Sequence, residues 1–218
     1  MTPSPSFLPP SKTSFPEASS FREPPVPPRF HLVSLGCAKN TVDSESMAAL
    51  LARDGFQPEA QAAHADVLIV NTCGFIAPAR DESIETLRRL AGAKRPGQLL
   101  IAAGCLTQRY GADVVRQVPG IDGLLGTRRW MDIVELVRGL RSDGGPSARY
   151  ALPSAETVGQ DERGVLRASV AGASAYLKIA DGCRRPCAFC AIPLIKGTAV
   201  SRPLEDRKST RLNSSHLA

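Results

Sequence analysis

Three short apolar runs punctuate the first half of the chain: His31-Leu-Val-Ser-Leu-Gly-Cys37, Val67-Leu-Ile-Val-Asn-Thr-Cys73 and Leu99-Leu-Ile-Ala-Ala-Gly-Cys105. Continuous runs of this length suit strands buried on both faces of a parallel sheet. Between them the apolar positions recur at helical spacing. Asn40 or Asp43 is placed to cap a helix carrying Met47, Leu50 and Leu51, and Gly55 to end it. Pro78 suits a first helical turn, with Ile84, Leu87 and Leu90 on one face behind it. Gly111 to Val118 reads as a short helix, and Trp130, Ile133, Val134, Val137 and Leu140 as a last amphipathic one. The order β-α-β-α-β predicts a doubly wound α/β domain. Right-handed crossovers make its strands parallel.

Each run ends in a cysteine, and the cysteines lie 36 and 32 residues apart, the length of a βαβ unit. In a parallel sheet all carboxyl ends share one edge, where ligands bind. Cys37, Cys73 and Cys105 are therefore expected to converge, with sulfur atoms within roughly 7 Å if poised for a cubane. Gly36, Gly74 and Gly104 beside them let the backbone turn closely around a bulky group. Three converging thiols make a cluster site with one open iron. The plainer alternative is three buried cysteines serving as small apolar residues.

A later apolar run, Ala175-Tyr-Leu-Lys-Ile-Ala180, leads into Cys183-Arg-Arg-Pro-Cys187-Ala-Phe-Cys190. Thiolates are soft ligands that favour iron–sulfur clusters, zinc or copper(I). Three in so short a loop, C-x3-C-x2-C, can hold three corners of a cubane and leave the fourth iron open to a small molecule. A structural zinc site wants a fourth ligand, and the histidines, His31, His64 and His216, are far from the loop in sequence. A thioredoxin-like pair at Cys187 and Cys190 leaves Cys183 unexplained.

The 218 residues allow one or two domains. Six cysteines without a signal peptide argue against a secreted disulfide framework, and no apolar run approaches the roughly 18 residues of a membrane span. Residues 1–28 hold nine of the eighteen prolines and read as a disordered leader. A first domain is expected over residues 29–140, a Gly/Ser/Pro-rich linker over 141–172 with a short strand near Gly164–Val170, and a second domain from Ala173. Asp206-Arg-Lys-Ser-Thr-Arg-Leu-Asn-Ser-Ser-His216 matches one reading frame of a common sequencing adapter. Residues 206–218 are therefore expected to be read-through, with the native gene continuing past Glu205. The formal charge is +6; without Arg207, Lys208, Arg211 and Asp206 it is +4. That modest basicity permits contact with RNA or a ribosomal surface without requiring it.

The C-x3-C-x2-C loop, with Phe189 before its last cysteine, resembles the cluster loop of radical S-adenosylmethionine (SAM) enzymes. The two trios together resemble the methylthiotransferases within that family. Val33-Ser-Leu-Gly-Cys-Ala-Lys-Asn-Thr-Val-Asp-Ser-Glu45, Tyr176-Leu-Lys-Ile and Ala188-Phe-Cys-Ala-Ile-Pro193 look like the branch acting on a ribosomal protein. The resemblance spans about residues 30–205. It implies a cytoplasmic enzyme that adds a methylthio group to the β-carbon of an aspartate in ribosomal protein uS-twelve. It further implies two [4Fe-4S] clusters and SAM as cofactors. Cys183, Cys187 and Cys190 would bind the cluster that cleaves SAM to a 5′-deoxyadenosyl radical; Cys37, Cys73 and Cys105 would bind the auxiliary cluster that holds the sulfur. The residues name neither the electron donor nor an oligomeric state. The family's remaining barrel strands and substrate-binding β-barrel are missing, so this stretch by itself is expected to be inactive and poorly ordered beyond about residue 140. The alternatives are a transfer RNA adenine methylthiotransferase and a non-catalytic iron–sulfur or zinc-binding module.

Overall fold

The computed structural model describes residues 26–142, 149–151 and 167–202. Most of the expected leader, much of the expected linker and the adapter-like tail lie outside the described residues. The first domain is a six-stranded, all-parallel sheet. Its strands are β1 (Arg29–Ser34), β2 (Gln57–Pro58), β3 (Val67–Thr72), β4 (Leu99–Gly104), β5 (Gly123–Gly126) and β6 (Arg149–Ala151), in the spatial order β2-β1-β3-β4-β5-β6. The order reverses between β1 and β3, which makes that crevice the topological switch point. Pro58 sits on the edge strand, where its missing N–H costs no ladder bond. β6 falls inside the expected linker and adds a strand to the sheet.

Helices cover both faces, which is why the strands read as unbroken apolar runs. Ile69, Ile101 and Leu125 point to one side and pack with Met47 and Leu51 of α1 (Ala38–Arg53) and with Ile133 and Val137 of α4 (Ile133–Ser142). Leu68, Val70 and Leu100 point to the other, against Ile84 and Leu87 of α2 (Ala77–Gly92) and Leu106 and Val114 of α3 (Cys105–Gln117). The alternation along each strand assigns successive residues to opposite cores.

Several elements depart from their sequence-based boundaries. The N-cap of α1 is Cys37; Asn40 and Asp43 lie inside the helix, buried on its inner face. The helix expected at Gly111–Val118 begins earlier, at Cys105, and bends at Tyr110. A 3-10 turn, Thr127–Asp132, holds Trp130 ahead of α4. The single strand expected at Ala175–Ala180 is divided. Its first part, β8 (Ser174–Leu177), forms an antiparallel hairpin with β7 (Ala168–Ala171). Its second part, β9 (Ala180–Asp181), pairs antiparallel with β10 (Val200–Ser201). The division falls at Lys178, whose side chain is drawn inward by carboxylates. Between β9 and β10 lie the second cysteine trio and a short helix, α5 (Ile192–Lys196). Residues 167–202, expected to be poorly ordered, pack on α1, α3 and the 3-10 turn.

Candidate metal centre

Cys37, Cys73 and Cys105 follow β1, β3 and β4 at the carboxyl edge of the sheet, on either side of and next to the switch point. Thr72 pairs with Gly104, so Cys73 and Cys105 leave neighbouring strands at the same level. The loops touch closely. A Cβ on Gly36 would lie 2.7 Å from Cys73 Cβ and 3.0 Å from its Sγ, and one on Gly74 would lie 2.6 Å from Leu106 Cα. Glycine at these two positions is what lets the three loops approach. Cys37 is exposed, whereas Cys73 and Cys105 are buried.

One side chain ties the three loops together. The Asn40 amide nitrogen donates to the carbonyls of Leu35 and Thr72, both at 2.9 Å, and its Oδ1 accepts from the Cys105 thiol at 3.4 Å. Asn71 donates to the Asn40 carbonyl at 2.9 Å and to Ser44 Oγ at 2.8 Å. The Cys73 backbone N–H donates to Ser83 Oγ at 3.0 Å.

Helix ends and burial act in opposite directions on this site. Cys37 caps α1 and Cys105 opens α3, so both lie at helix N-termini, where partial positive charge favours an anion. None of α1, α2 and α3 carries an acidic residue in its first turn to compete for that charge. Burial pushes the Cys105 thiol up to about 11, with the Lys196 charge acting the other way. The donor set is three thiols, a soft set that suits a thiophilic metal. A single ion would need sulfurs about 2.3 Å from it. Among the described residues no three His, Cys, Asp or Glu side chains are gathered tightly enough to hold one.

The second trio sits in the loop between β9 and α5. Cys183 donates its N–H to the Gly197 carbonyl at 3.0 Å, and its Sγ accepts from the Arg185 N–H at 3.5 Å. Cys190 N–H donates to the Cys187 carbonyl at 3.1 Å, closing a turn. Cys183 and Cys190 are half-buried and Cys187 is exposed; Phe189 beside them is 92% exposed. The second loop meets the first trio at Cys105, which shares a small apolar cluster with Ala191 and Ile195.

Behind that contact lies a buried charge network that the sequence did not reveal. Asp43 accepts from Arg167, from Lys178 at 2.8 Å and from Lys196 at 3.1 Å. Asp181 pairs with Lys178 at 2.6 Å and with Lys196 at 3.5 Å. Arg167 also stacks over Trp130, 3.9 Å from the ring centroid. Burial works to raise the Asp43 pKa, but Lys196, Lys178 and Arg167 outweigh it and hold the carboxyl far below its ordinary range. Burial likewise opposes the Lys196 charge, and Asp43 and Asp181 outweigh it, lifting that ammonium above the usual lysine range. The signal that could have found Asn40 and Asp43 is their register. They share the inner face of α1 with Met47 and Leu51, where polar residues need partners.

Residues 29–126 match the family described as "Uncharacterized protein family UPF0004". The chain is similar to the ribosomal protein uS12 methylthiotransferase RimO of Roseiflexus sp. (strain RS-1), 44% identical over 80% of this chain and 40% of that protein. The protein of the same description from Chloroflexus aurantiacus is 47% identical over 81% of this chain and 41% of its own length. That from Symbiobacterium thermophilum is 45% identical over 82% and 36%. The chain thus spans about 40% of the length of the curated relatives it matches.

Proposed function

We propose a function that starts from kinship: the chain carries a UPF0004 domain over residues 29–126 and is a homologue of the uS12 methylthiotransferases. The whole protein adds a methylthio group to the β-carbon of an aspartate in ribosomal protein uS12, in the cytoplasm, by radical SAM chemistry. The observation that carries the reading is the pair of cysteine trios, one on three strand ends and one in a C-x3-C-x2-C loop, with Cys105 of the first sharing an apolar cluster with Ala191 and Ile195 beside the second. The relatives' names favour the ribosomal protein over a transfer RNA as substrate. No helix among the described residues is long and apolar enough to cross a membrane.

In this reading Cys37, Cys73 and Cys105 hold an auxiliary [4Fe-4S] cluster, and Cys183, Cys187 and Cys190 hold the one that binds SAM. When bound, these groups supply one-electron cleavage of SAM and the sulfur that is methylated. The chain's own residues shape the surroundings of these groups. Asn40 keeps the three strand-end loops at fixed spacing. Cys37 and Cys105 stand at the N-termini of α1 and α3, whose partial positive charge favours a negatively charged group. Ala191 and Ile195 cover Cys105 and exclude water from it. Tyr176, Ile179, Phe189 and Leu194 are large, apolar and exposed; the remainder of a protein as long as the relatives would cover them. Methylthiolation is accordingly assigned to the whole protein and not to these 218 residues.

Anaerobic reconstitution of this chain tests the site. About eight irons are expected, and about four after Cys183, Cys187 and Cys190 are all replaced by Ala. Zinc in place of iron, or no loss on substitution, rejects the assignment. Assay of the full-length protein on uS12 and on transfer RNA separates the two substrates.

A further inference from the structure

We propose that Asp43 and Arg128 are positioning residues, which clamp the stretch after Cys190 onto the first domain and so fix the second cysteine loop relative to Cys105. The inference rests on the proposed function for its purpose, but its geometry stands alone. Asp43 lies six residues after Cys37 on the same helix, so whatever Asp43 holds is referenced to the strand-end trio. It holds Arg167, Lys178 and Lys196, all from beyond the sheet. Lys196 is the last residue of α5 and also donates to Thr127. From the same 3-10 turn, Arg128 donates to the carbonyls of Ile195 at 3.1 Å, Pro193 at 3.3 Å and Leu194 at 3.0 Å. A cation there meets the negative end of the short helix. Thus α5, which begins two residues after Cys190, is gripped from α1 and from the 3-10 turn while its inner face rests on Cys105.

The composition of the network explains why charge is used. Three cations face two carboxylates, with every member at most 8% exposed. Such a buried cluster adds little net stability over an apolar one, because desolvation offsets attraction. What it adds is uniqueness. Ala191 and Ile195 could slide on an apolar surface, whereas Lys178 and Lys196 must each meet a carboxylate and Arg128 must meet carbonyls. The clamp therefore selects one seating of the loop among several that apolar packing would accept.

Hydrogen exchange on the metal-free chain tests the clamp. In Asp43→Asn, amides of residues 168–181 and 191–201 should exchange roughly a hundredfold faster, while those of β3 and β4 keep their rates. Arg128→Met should speed residues 191–201 by about tenfold, since it loses bonds to carbonyls and leaves the Asp43 network in place. Unchanged exchange at 191–201 in both variants overturns the proposal. If Asp43→Asn also deprotects β3 and β4, the Arg128→Met result decides. After reconstitution both variants should hold as much iron as the parent chain, with a weaker magnetic interaction between the two reduced clusters; an unchanged interaction overturns the proposal too. A parent chain that takes up no iron would reject the functional reading and leave the exchange result to stand by itself.

Discussion

Cys105 is subject to two opposed influences. Burial raises its pKa from 9.0 to about 11, while Lys196 and the start of α3 favour its thiolate. The raised value has a definite sign in the metal-free chain. The folded state holds the proton more tightly, so this contribution to stability is complete below pH 9.0 and lost as pH rises through about 11. It also sets reactivity. At pH 7.5, iodoacetamide should modify Cys105 in the folded chain about a hundredfold more slowly than in urea, because the reactive thiolate is that much scarcer when the proton is held so tightly. Peptide mass spectrometry over time reads this directly, and equal rates would show that the thiol is not held in a buried pocket. Asn40 offers a second test. Replacing it with Ala strips the buried Thr72 carbonyl and the part-buried Leu35 carbonyl of a donor, and the expected cost is about 1–3 kcal/mol in urea unfolding. Iron retained at the strand-end site should fall with it, because the loops lose their common tie.

At the level of elements, the three cysteine-ended strands and the parallel order were legible in the sequence, since an unbroken apolar run flanked by helical periodicity has few other readings. Convergence of the cysteines on one edge then follows from parallel geometry alone. The helix starts were less legible. Asn40 and Asp43 are favoured N-cap residues, and propensity placed one or other of them at the start of α1; burial inside the helix won because each finds partners on neighbouring strands or from beyond the sheet. The early start of α3 was hidden for a related reason: Cys105 reads as the end of a strand, yet its successor Leu106 packs as a helical residue in the core. The strand at Ala175–Ala180 was legible as extended chain, but its division was not. Lys178 looks like a solvent-facing residue, and only its distant carboxylates turn it inward.

Across the whole molecule, the charge network joins residues from opposite ends of the described chain and makes the assembly acid-sensitive. Asp43 and Asp181 are both held below their ordinary range, burial opposing the shift and Lys196 and Lys178 outweighing it. A depressed carboxyl stabilises the fold above its unfolded pKa of about 3.9, and that contribution is lost as pH falls below it. The single tryptophan, Trp130, lies under Arg167 and reports the seating. Its fluorescence should be steady from pH 7 to about 5 and should change between about pH 4 and 2. In Asp43→Asn the change should already be present at neutral pH. A further consequence comes from the sheet itself. Every pairing in it is parallel, so no two of its strands can zip together as a local hairpin: Phe30 waits for Val67, and Val67 for Leu99. Non-local closure of this kind makes folding slower than in a helical bundle of similar size. For that interval the sticky segments Val67–Val70 and Leu99–Ala102 stand unpaired in a crowded solution. A nascent chain of this type competes with its own aggregation before its sheet is complete, so strand topology sets the first hazard in its biogenesis.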